Sequence, residues 1–326
     1  MSETTGVRIA ETGGPEVIEI ARWPTPEPGP GELRIRHAAI GVNFIDTYHR
    51  SGLYPVPLPS GLGLEGAGIV EAVGEGVTGW SVGSRAAYCS GPLGAYAEAH
   101  LVPADKTVAL PEAVSFEQAA SMMLKGLTVQ YLIRQIHRVT ASETVLFHAG
   151  AGGVGQIAVQ WLKHIGATVI ATAGGPEKCA LVRDLGADLV IDYLSEEIAP
   201  RVRAFTDGAG VPVVYDGVGR DTFEASLDSL SVRGLLVSFG NASGPVTGVD
   251  LGVLAQKGSL MVTRPVLGHF TQTREMLQSA ADDLFDVVLA GGVRIAEPTV
   301  YPLVEAAQAH RDLEARRTTG SLILRP

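Results

Sequence analysis

The chain has 326 residues, of which 46% are hydrophobic and 18% are charged, and its formal net charge is −10. This length favours two domains over one, and the composition is that of a globular protein, which excludes a disordered or fibrous chain. The acidic balance makes nucleic acids and acidic membrane surfaces poor partners, because they would repel the protein.

No targeting segment is predicted. The first five residues lack the basic and apolar regions of a signal peptide. No apolar run approaches the length of a membrane-spanning helix. The two cysteines, Cys89 and Cys179, cannot form a disulfide framework and are expected to stay reduced. We therefore expect a cytoplasmic protein.

The first 125 residues predict a β-rich region. Their apolar and alternating runs are short, and turn clusters such as residues 24–31 separate them. Closely spaced strands with little helix between them are typical of an irregular antiparallel barrel or sandwich. A connecting helix is predicted over residues 115–135, where apolar residues recur at helical spacing. The predicted strands cover residues 17–20, 33–40, 66–73, 85–88 and 95–102.

From residue 144 the pattern alternates between strands and helices. Repeated βα units require a parallel, doubly wound sheet with helices on both faces. A last strand over residues 320–324 has no room for a βα partner of its own, so we expect it to rejoin the N-terminal domain. The strands of the alternating region are predicted over residues 144–147, 168–173, 189–191, 213–215, 235–239 and 260–262.

Three glycines follow the first of these strands in a Gly-x-Gly-x-x-Gly motif, at Gly150, Gly152 and Gly155. The motif is weak alone, but here it lies between a strand and an amphipathic helix that another strand follows. In this setting the first glycine permits the tight turn, the second lets backbone reach a pyrophosphate, and the third lets the helix pack close to the strand. The phosphates then meet the helix N-terminus, which predicts a dinucleotide site.

The second strand of this region favours NADPH over NADH. A site for NAD normally has Asp or Glu at the end of this strand to hold the ribose 2′-hydroxyl. Here the strand ends in Ala173 and Gly174, and no carboxylate occurs before Glu177. Lys178 follows, and Tyr193 lies just beyond the third strand. On charge alone Lys178 could equally be a solvated surface lysine, but the absent carboxylate favours a site for the dianionic 2′-phosphate.

Residues 63–70 resemble the signature of the medium-chain dehydrogenase/reductase superfamily, whose zinc alcohol dehydrogenases have a histidine after the first glycine. This chain has Leu64 there, and it has Asn43 in the segment where a zinc enzyme supplies its first cysteine. A catalytic zinc needs about three Cys, His or carboxylate ligands, and the two distant cysteines do not complete such a set. We therefore predict no metal. Without a Lewis acid, hydride transfer suits electron-poor acceptors such as quinones or α,β-unsaturated carbonyls.

Further strings resemble one branch of this superfamily, the zinc-free, zeta-crystallin-like quinone oxidoreductases, and within it the bacterial NADPH:quinone reductases. The similarity extends from about residue 13 to residue 320. The strings that carry it are Gly-Val-Asn-Phe-Ile-Asp-Thr-Tyr at 41–48, Ser-Gly-Leu-Tyr-Pro at 51–55, Phe-Glu-Gln-Ala-Ala at 116–120, Leu-Lys-Gly-Leu-Thr at 124–128 and Val-Ser-Phe-Gly-Asn at 237–241.

The resemblance implies an α/β fold in which a GroES-like β-barrel catalytic domain accompanies a Rossmann domain with a doubly wound parallel sheet. The catalytic domain is expected to be discontinuous, with residues 1–125 and 266–326, and the NADPH-binding Rossmann domain to cover residues 126–265. The resemblance also implies a small-molecule quinone as the acceptor and a homodimer as the assembly.

Matching positions assign the site residues that the resemblance implies. Asn43, Phe44 and Asp46 are expected beside the nicotinamide and ribose. The catalytic candidates are Asn43, Asp46, Tyr48 and Tyr54. The other cofactor-binding candidates fall into four groups: Gly150, Gly152, Gly153, Val154 and Gly155 at the pyrophosphate; Gly174, Lys178 and Tyr193 at the 2′-phosphate; Phe239, Gly240 and Asn241 at the nicotinamide half; and Arg264 and Arg316 as further contacts.

Several alternatives stay open. Tyr48 and Tyr54 either line the quinone pocket or belong to ordinary packing. No His, Cys or carboxylate pair stands out as an acid–base device, and we expect His148 to be a hydrogen-bonded residue at a strand end. The function is either quinone reduction, reduction of an alkenal or enone double bond, or dinucleotide binding with an RNA-binding or structural role. The lack of a Lys/Arg-rich tract counts against RNA.

Overall fold

The computed structural model describes residues 3–315 and 317–326, and the chain forms two compact units. The first unit is discontinuous. Residues 266–270 and 286–294, which the predicted boundaries assign to the first domain, group with the second unit. As functional domains, 1–125 with 266–326 and 126–265 stay a prediction. In the described ranges the first unit comprises residues up to 127, 271–285 and 295–326, and the second comprises 128–270 and 286–294.

Strands dominate the first third of the chain, and helices alternate with strands after it. Of the helices in the described ranges, none combines the length and hydropathy that a bilayer crossing requires. The strands are β1 (Glu3–Arg8), β2 (Glu19–Pro24), β3 (Glu32–Val42), β4 (Glu65–Val73), β5 (Arg85–Tyr88), β6 (Ala99–Pro103), β7 (Val108–Ala109), β8 (Thr144–Phe147), β9 (Thr168–Ala173), β10 (Leu189–Asp192), β11 (Val211–Asp216), β12 (Leu230–Ser238), β13 (Met261–Thr263), β14 (Thr299–Pro302) and β15 (Leu322–Arg325). The α-helices are α1 (Phe44–Ser51), α2 (Phe116–Gln130), which a π-helix over Tyr131–Ile136 continues, α3 (Gly153–Ile165), α4 (Pro176–Asp184), α5 (Ile198–Phe205), α6 (Phe223–Ser229), α7 (Gly252–Gln256), α8 (Arg274–Leu289) and α9 (Ala306–Glu314).

The first unit is built on a largely antiparallel sheet. Its strands are hydrogen-bonded in the order β14-β15-β3-β4-β5-β7, and β6 also pairs with β3. In β3, Leu33 and Ile35 are fully buried while Arg34 and Arg36 face outward or are half-buried, which is the period-2 pattern of a sheet with one buried face. The C-terminal strand β15 runs antiparallel to β3, so it rejoins the first unit as predicted.

Weak local patterns account for the elements of this unit that the sequence does not predict. Of the strand expected at residues 17–20, residue 17 belongs to a 3-10 turn over Pro15–Val17, and residues 19 and 20 begin β2. Pro15 favours the turn, since its ring fixes φ and removes the N–H group that a ladder needs. Helix α1 has only eight residues, too few for a helical period to stand out. It ends at Gly52, whose φ of 81° is left-handed.

The second unit is a six-stranded parallel sheet in the order β10-β9-β8-β11-β12-β13. β8 and β11 lie in the middle, and the chain moves outward from them in both directions, so the predicted doubly wound sheet is confirmed. In such sheets ligands bind outside the carboxyl ends of the strands, where the order reverses. Leu146, Ile170, Val214 and Leu236, from four neighbouring strands, are fully buried in its core.

Candidate functional site

The turn between β8 and α3 is built almost entirely from backbone. Gly152 caps α3 and is exposed, and a Cβ on it would meet one described atom within 4 Å, the Ala149 carbonyl oxygen at 3.3 Å. A Cβ on Gly155 would overlap the same oxygen and the backbone of Gly150. Ala149 has a φ of 55°, which a residue with a side chain rarely adopts. Gly155 therefore closes the turn against the helix, while Gly152 leaves the helix N-terminus open.

Buried side chains hold this turn from beneath. The His148 ring is hydrogen-bonded at Nδ1 to the Thr172 hydroxyl (3.1 Å) and at Nε2 to the Ser226 hydroxyl (3.0 Å), and Ser226 donates to Asp216 Oδ2 at 2.7 Å. Burial lowers the pKa of His148. Although burial opposes it, the His148 charge and donated hydrogen bonds hold the pKa of Asp216 below its usual value. His148 is thus a hydrogen-bonded strand-end residue, as predicted.

Gly174 and Tyr193 lie together at the end of β9. A Cβ on Gly174 would come within 2.5 Å of the Tyr193 hydroxyl oxygen, so the hydroxyl reaches this position because the residue is glycine. Asp192 Oδ1 accepts hydrogen bonds from Gly175 N (2.9 Å) and Leu194 N (3.1 Å), which join the turn after β9 to the turn after β10. Lys178 is half-buried in the first turn of α4, which begins at Pro176 after Gly175.

Arg264 holds the turn after β12. Its Nη1 donates to the carbonyl oxygens of Ser238 (2.8 Å) and Gly240 (3.0 Å). When the Asn241 amide is oriented to satisfy both of its polar atoms, its oxygen accepts from Arg264 Nη2 at 3.1 Å and its nitrogen donates to Gly240 O at 2.9 Å. The structure therefore joins Arg264, Gly240 and Asn241, as their assignment to one site requires. Arg316 lies outside the described residues.

The ends of β11 and β12 approach each other closely at two glycines. A Cβ on Gly240 would overlap the Gly217 carbonyl, and a Cβ on Gly217 would lie 2.8 Å from the Phe239 ring. The Phe239 ring also packs against Phe147, with centroids 5.8 Å apart. Phe239 is thereby fixed over the carboxyl ends of the central strands, where a ligand of this sheet class binds.

In the first unit, Asp46 is fully buried at the start of α1. Its Oδ2 accepts hydrogen bonds from the Asn43 backbone N–H (2.8 Å), as in a capping box, and from the Tyr96 hydroxyl (2.9 Å). Its Oδ1 is buried and has no hydrogen-bond partner among the described residues. Burial raises the pKa of Asp46 to about 7, the Glu65 charge adds to the rise, and the two hydrogen bonds and Lys125 reduce it.

Glu65 is the second fully buried carboxylate of this cluster. Its Oε2 accepts from Asn43 Nδ2 at 2.7 Å and lies 3.8 Å from Lys125 Nζ, while its Oε1 accepts from Leu124 N at 2.8 Å. A Cβ on Gly41 would overlap the carboxylate, so this glycine makes room for it. Burial raises the pKa of Glu65, and the Lys125 charge opposes the rise. Lys125 Nζ is buried without a hydrogen-bond partner in the described part of the chain.

A chain of hydrogen bonds connects Asp46 to helix α9. The Tyr96 hydroxyl, which donates to Asp46, lies 3.1 Å from His310 Nε2. The other ring nitrogen, Nδ1, lies 3.0 Å from Arg50 Nη1, and the Arg50 guanidinium binds both oxygens of Glu314 at 3.0 and 2.7 Å. Burial, with the Arg50 charge, lowers the pKa of His310 to about 3.

The sequence interpretation includes Asn43 and Asp46 but misses their partners. Arg50 and His310 are 260 positions apart, so no local pattern could join them. Glu65 and Lys125 lie within the family strings, where their burial beside each other could not be foreseen. A charged residue inside an otherwise apolar run, as at Glu65, is the one local signal that points to a buried functional group.

The predicted aromatic candidates form a cluster on α1 and the segment after it. The rings of Phe44 and Tyr48 have centroids 5.7 Å apart, and those of Tyr48 and Tyr54 are edge to face at 5.2 Å. Tyr54 N donates to Tyr48 O at 3.1 Å. Tyr48 is buried while Tyr54 is half-buried. Most of the Tyr48 side chain is therefore engaged in packing, whereas part of the Tyr54 surface stays accessible to a ligand.

Residues 3–315 and 317–326 contain no group of three or more His, Cys, Asp or Glu side chains arranged to hold a metal ion. Cys89 and Cys179 are both buried and unpaired.

Comparison with known proteins gives matches over nearly the whole chain. The family described as alcohol dehydrogenase GroES-like domain matches residues 29–112, and the family described as zinc-binding dehydrogenase matches residues 153–284. A quinone oxidoreductase of Pseudomonas aeruginosa is 58% identical over 321 residues, which are 98% of this chain and 99% of the relative.

Two solved structures have nearly the same fold. The quinone oxidoreductase of Pseudomonas syringae pv. tomato is 56% identical with a TM-score of 0.98, and the alignment covers 99% of this chain and 100% of that one. The Escherichia coli quinone oxidoreductase, solved in complex with NADPH, is 50% identical with a TM-score of 0.97 and the same coverage. The predicted fold class and family are confirmed: the chain belongs to the quinone oxidoreductase branch of the medium-chain dehydrogenase/reductase superfamily.

Proposed function

We propose that this chain is an NADPH-dependent quinone reductase. The observation that carries the proposal is the turn between β8 and α3, whose glycines leave the N-terminus of a 13-residue helix open. Such an N-terminus binds a pyrophosphate through its free N–H groups and its dipole. Relatives of the same length are named quinone oxidoreductases, and one of them is known in complex with NADPH.

The residues around the turn fit a dinucleotide. Gly152 has no side chain to block the approach of phosphate oxygens, and Gly155 keeps the helix close to the strand. We assign the pyrophosphate contacts to Gly150, Gly152, Gly153, Val154 and Gly155. When bound, the nicotinamide supplies a hydride to the acceptor. For its half of the cofactor the assigned residues are Asn43, Phe44, Asp46, Phe239, Gly240, Asn241 and Arg264, with Arg316 as a further candidate.

The end of β9 supports NADPH rather than NADH. The strand carries no carboxylate that would hold a ribose 2′-hydroxyl. Gly174 admits the Tyr193 hydroxyl, a hydrogen-bond donor, and Lys178 is in the first turn of the next helix. The nearest strand-end acid, Asp192, is occupied by two backbone N–H groups, which offset its charge. We assign Gly174, Lys178 and Tyr193 to the 2′-phosphate.

A quinone fits as the acceptor because its carbonyl groups are electron-poor. The chain has Leu64 where zinc dehydrogenases have a histidine ligand, so we propose that the acceptor is reduced without a zinc ion to polarise its carbonyl group. Tyr54 is half-buried beside Tyr48, and an aromatic ring of this kind can stack on a planar quinone. We assign Tyr48 and Tyr54 to the acceptor site.

Steady-state oxidation of NADPH tests this function. The purified protein is assayed with 1,4-naphthoquinone, with an α,β-unsaturated ketone and without an acceptor. We expect the largest kcat/KM with the quinone. A larger value with the ketone would replace the proposal by a double-bond reductase, and no turnover with any acceptor would replace it by a dinucleotide-binding role.

We also propose a homodimer that forms at the edge of the parallel sheet. Strand β13 is the last strand of that sheet, and its Met261 and Val262 are 53% and 41% exposed. An apolar edge strand with unpaired backbone groups is suited to pair with a second copy. Sedimentation should give a dimer, and Val262→Lys should shift it toward the monomer. A monomeric wild-type protein would contradict this assembly.

The cytoplasm is the proposed location, because both cysteines are unpaired as expected in a reducing compartment.

A further inference from the structure

The unpartnered oxygen of Asp46 requires an explanation. A fully buried polar atom without a hydrogen bond is rare in folded proteins, and each such atom has a structural or functional cause. As a cap alone, Asp46 would sit at the surface of a helix start and stay ionised. Here the carboxyl group is wholly enclosed, so it is the ionised form that burial disfavours.

Hydrogen bonds connect Arg50 to Asp46 through His310 and Tyr96, and Arg50 fixes the direction of each of them. A guanidinium can only donate, so Arg50 Nη1 donates to His310 Nδ1 and the ring accepts there. The neutral ring then carries its proton on Nε2 and donates to the Tyr96 oxygen. The single hydroxyl proton of Tyr96 is left to point at Asp46 Oδ2.

This polarity determines which Asp46 oxygen can carry a proton. Oδ2 accepts from Tyr96 and from the Asn43 N–H, so a proton on Oδ2 would face two donors. Oδ1 faces no donor among the described residues and is the oxygen left to hold a proton. The protonated group would then present an O–H donor from Oδ1 and keep both hydrogen bonds at Oδ2.

The neighbouring carboxylate competes less well for that proton. Glu65 accepts hydrogen bonds at both oxygens, from Asn43 Nδ2 and Leu124 N, and has the Lys125 ammonium 3.8 Å away. These contacts stabilise its ionised form. The Glu65 charge raises the pKa of Asp46, so the two buried carboxyl groups disfavour being ionised together. The geometry therefore places the shared proton on Asp46.

We propose that Asp46 is the proton donor of the quinone reduction, and that Tyr96, His310 and Arg50 are positioning residues that direct its proton to Oδ1. The inference rests on the proposed function. A hydride with its electron pair passes from the nicotinamide to the quinone, and the Oδ1 proton passes to the quinone oxygen that gains negative charge. The products are the hydroquinone, the oxidised nicotinamide and an Asp46 carboxylate, which takes up one proton before the next turnover.

The pH dependence of turnover tests the donor. The pKa of Asp46 is about 7, so kcat/KM for the quinone should fall as the pH rises above that value. The charged and titratable groups that face Asp46 are Glu65, Lys125 and Tyr96. We call this decrease of kcat/KM the alkaline limb. Asp46→Asn should remove the limb and lower kcat/KM roughly hundredfold, which is the low end of the rate effect of a positioned general acid.

Tyr96→Phe tests the positioning chain. The variant removes a hydrogen bond that stabilises the Asp46 carboxylate, so the pKa of Asp46 and the limb should move upward by roughly half a pH unit to one unit. The matched control is Tyr88→Phe, since Tyr88 is equally buried and its hydroxyl pairs with His37 Nε2 at 2.9 Å. Tyr88→Phe should leave the limb where it is in the wild type.

Infrared spectroscopy of the protein without cofactor supplies a readout that is independent of turnover. Between pH 5 and pH 9 the C=O band of a protonated carboxylic acid should disappear near pH 7, be absent in Asp46→Asn and move upward in Tyr96→Phe. A wild-type protein without that band at pH 5, or with equal profiles for Tyr96→Phe and Tyr88→Phe, would overturn the assignment.

The two failures are distinguishable. If the wild-type protein fails to oxidise NADPH with any quinone tested, the proposed function is overturned, and the transfer of a proton from Asp46 to the quinone is overturned with it. A wild type that reduces quinone with no limb near pH 7 overturns the donor role alone.

Discussion

The two units of this protein build their candidate sites in opposite ways. In the second unit the turn after β8 uses the backbone of Gly152 and Gly155, and the side chains beneath it serve only to hold it. In the first unit the cluster around Asp46 uses buried side chains of opposite charge that hydrogen bonds keep in place. A backbone site thus needs space, whereas a side-chain site needs compensation for lost hydration.

This difference determines how each site fails. A backbone site is lost when a Cβ fills the space, and the loss of stability increases with the number of atoms that the Cβ overlaps. A buried charge cluster is lost when one partner disappears, because the remaining charge keeps its desolvation penalty without its attraction. Removing a partner from the first unit should therefore have a larger effect on stability than adding a methyl group to the second.

The largest effect is expected at Arg50, which is 2% exposed and binds both oxygens of Glu314 as well as His310. Arg50→Met should lower the free energy of unfolding by about 2–4 kcal/mol, because it leaves the buried His310 Nδ1 without its donor and breaks a half-buried ion pair with Glu314. Denaturant unfolding provides the measurement. Arg36→Met is the control, since Arg36 pairs with Glu71 at the surface, and it should change stability by less than about 1 kcal/mol. Equal losses in the two variants would contradict the comparison.

The next effect separates two glycines of the same motif. Gly155→Ala should lower the free energy of unfolding by about 1–3 kcal/mol, because the new Cβ overlaps the Ala149 carbonyl and the Gly150 backbone. Gly152→Ala should change stability less than Gly155→Ala and weaken NADPH binding, because its Cβ would meet a single described atom, the Ala149 carbonyl oxygen at 3.3 Å, and would otherwise take up space at the helix N-terminus. Thermal unfolding and NADPH titration of both variants check this. A reversed pattern would show that the roles of the two glycines are misassigned.

The pH dependence of stability sharpens the account of Asp46. Its pKa of about 7 in the folded protein exceeds the ordinary value of 3.8, so between these values the folded state binds more protons and stability falls as the pH rises. Asp46→Asn keeps the acceptor and removes the charge. The variant should gain on the wild type between pH 4 and pH 7 by at most about 1.4 kcal/mol per pH unit.

Denaturant unfolding at pH 5, 7 and 9 measures that gain. Above neutral pH the stability of the variant relative to the wild type should therefore reach its highest value, as expected where a functional site keeps a buried charge at a cost in stability. A stability difference that does not change with pH would mean that Asp46 is ionised throughout.

The smallest effect concerns the choice of cofactor. Lys178→Ala should weaken NADPH roughly fivefold to tenfold, about 1 kcal/mol, and leave NADH nearly unchanged, because only NADPH carries the 2′-phosphate. The control is Lys163→Ala, which removes a lysine that binds Ala167 O and Asp188 and should affect both nucleotides equally. Equal losses of NADPH and NADH in the Lys178 variant would remove this lysine from the phosphate site.

The sequence predicts the backbone site far better than the side-chain site, for a physical reason. A dinucleotide turn is local: β8, the glycines and α3 occupy consecutive positions, so their order shows in the sequence. The strand over residues 144–147 is predicted with its observed bounds. The motif glycines are required by the geometry of the backbone, and this requirement appears in the sequence as a fixed spacing of glycines.

The cluster around Asp46 leaves no such trace. Its members come from α1, β4, α2, the segment at Tyr96 and α9, and only the folded chain brings them together. Asn43 and Asp46 are found because they are close in sequence and match a family string. Arg50 and His310 look like ordinary charged positions, since burial of a charge is a property of the fold and not of a local pattern.

Titration of the purified protein with NADPH, followed by nicotinamide fluorescence, tests most directly whether the turn between β8 and α3 binds the dinucleotide. The open helix N-terminus predicts saturable binding at one site per chain, tighter for NADPH than for NADH and weakened by Gly152→Ala. A folded protein that shows no saturable signal with NADPH would contradict the account.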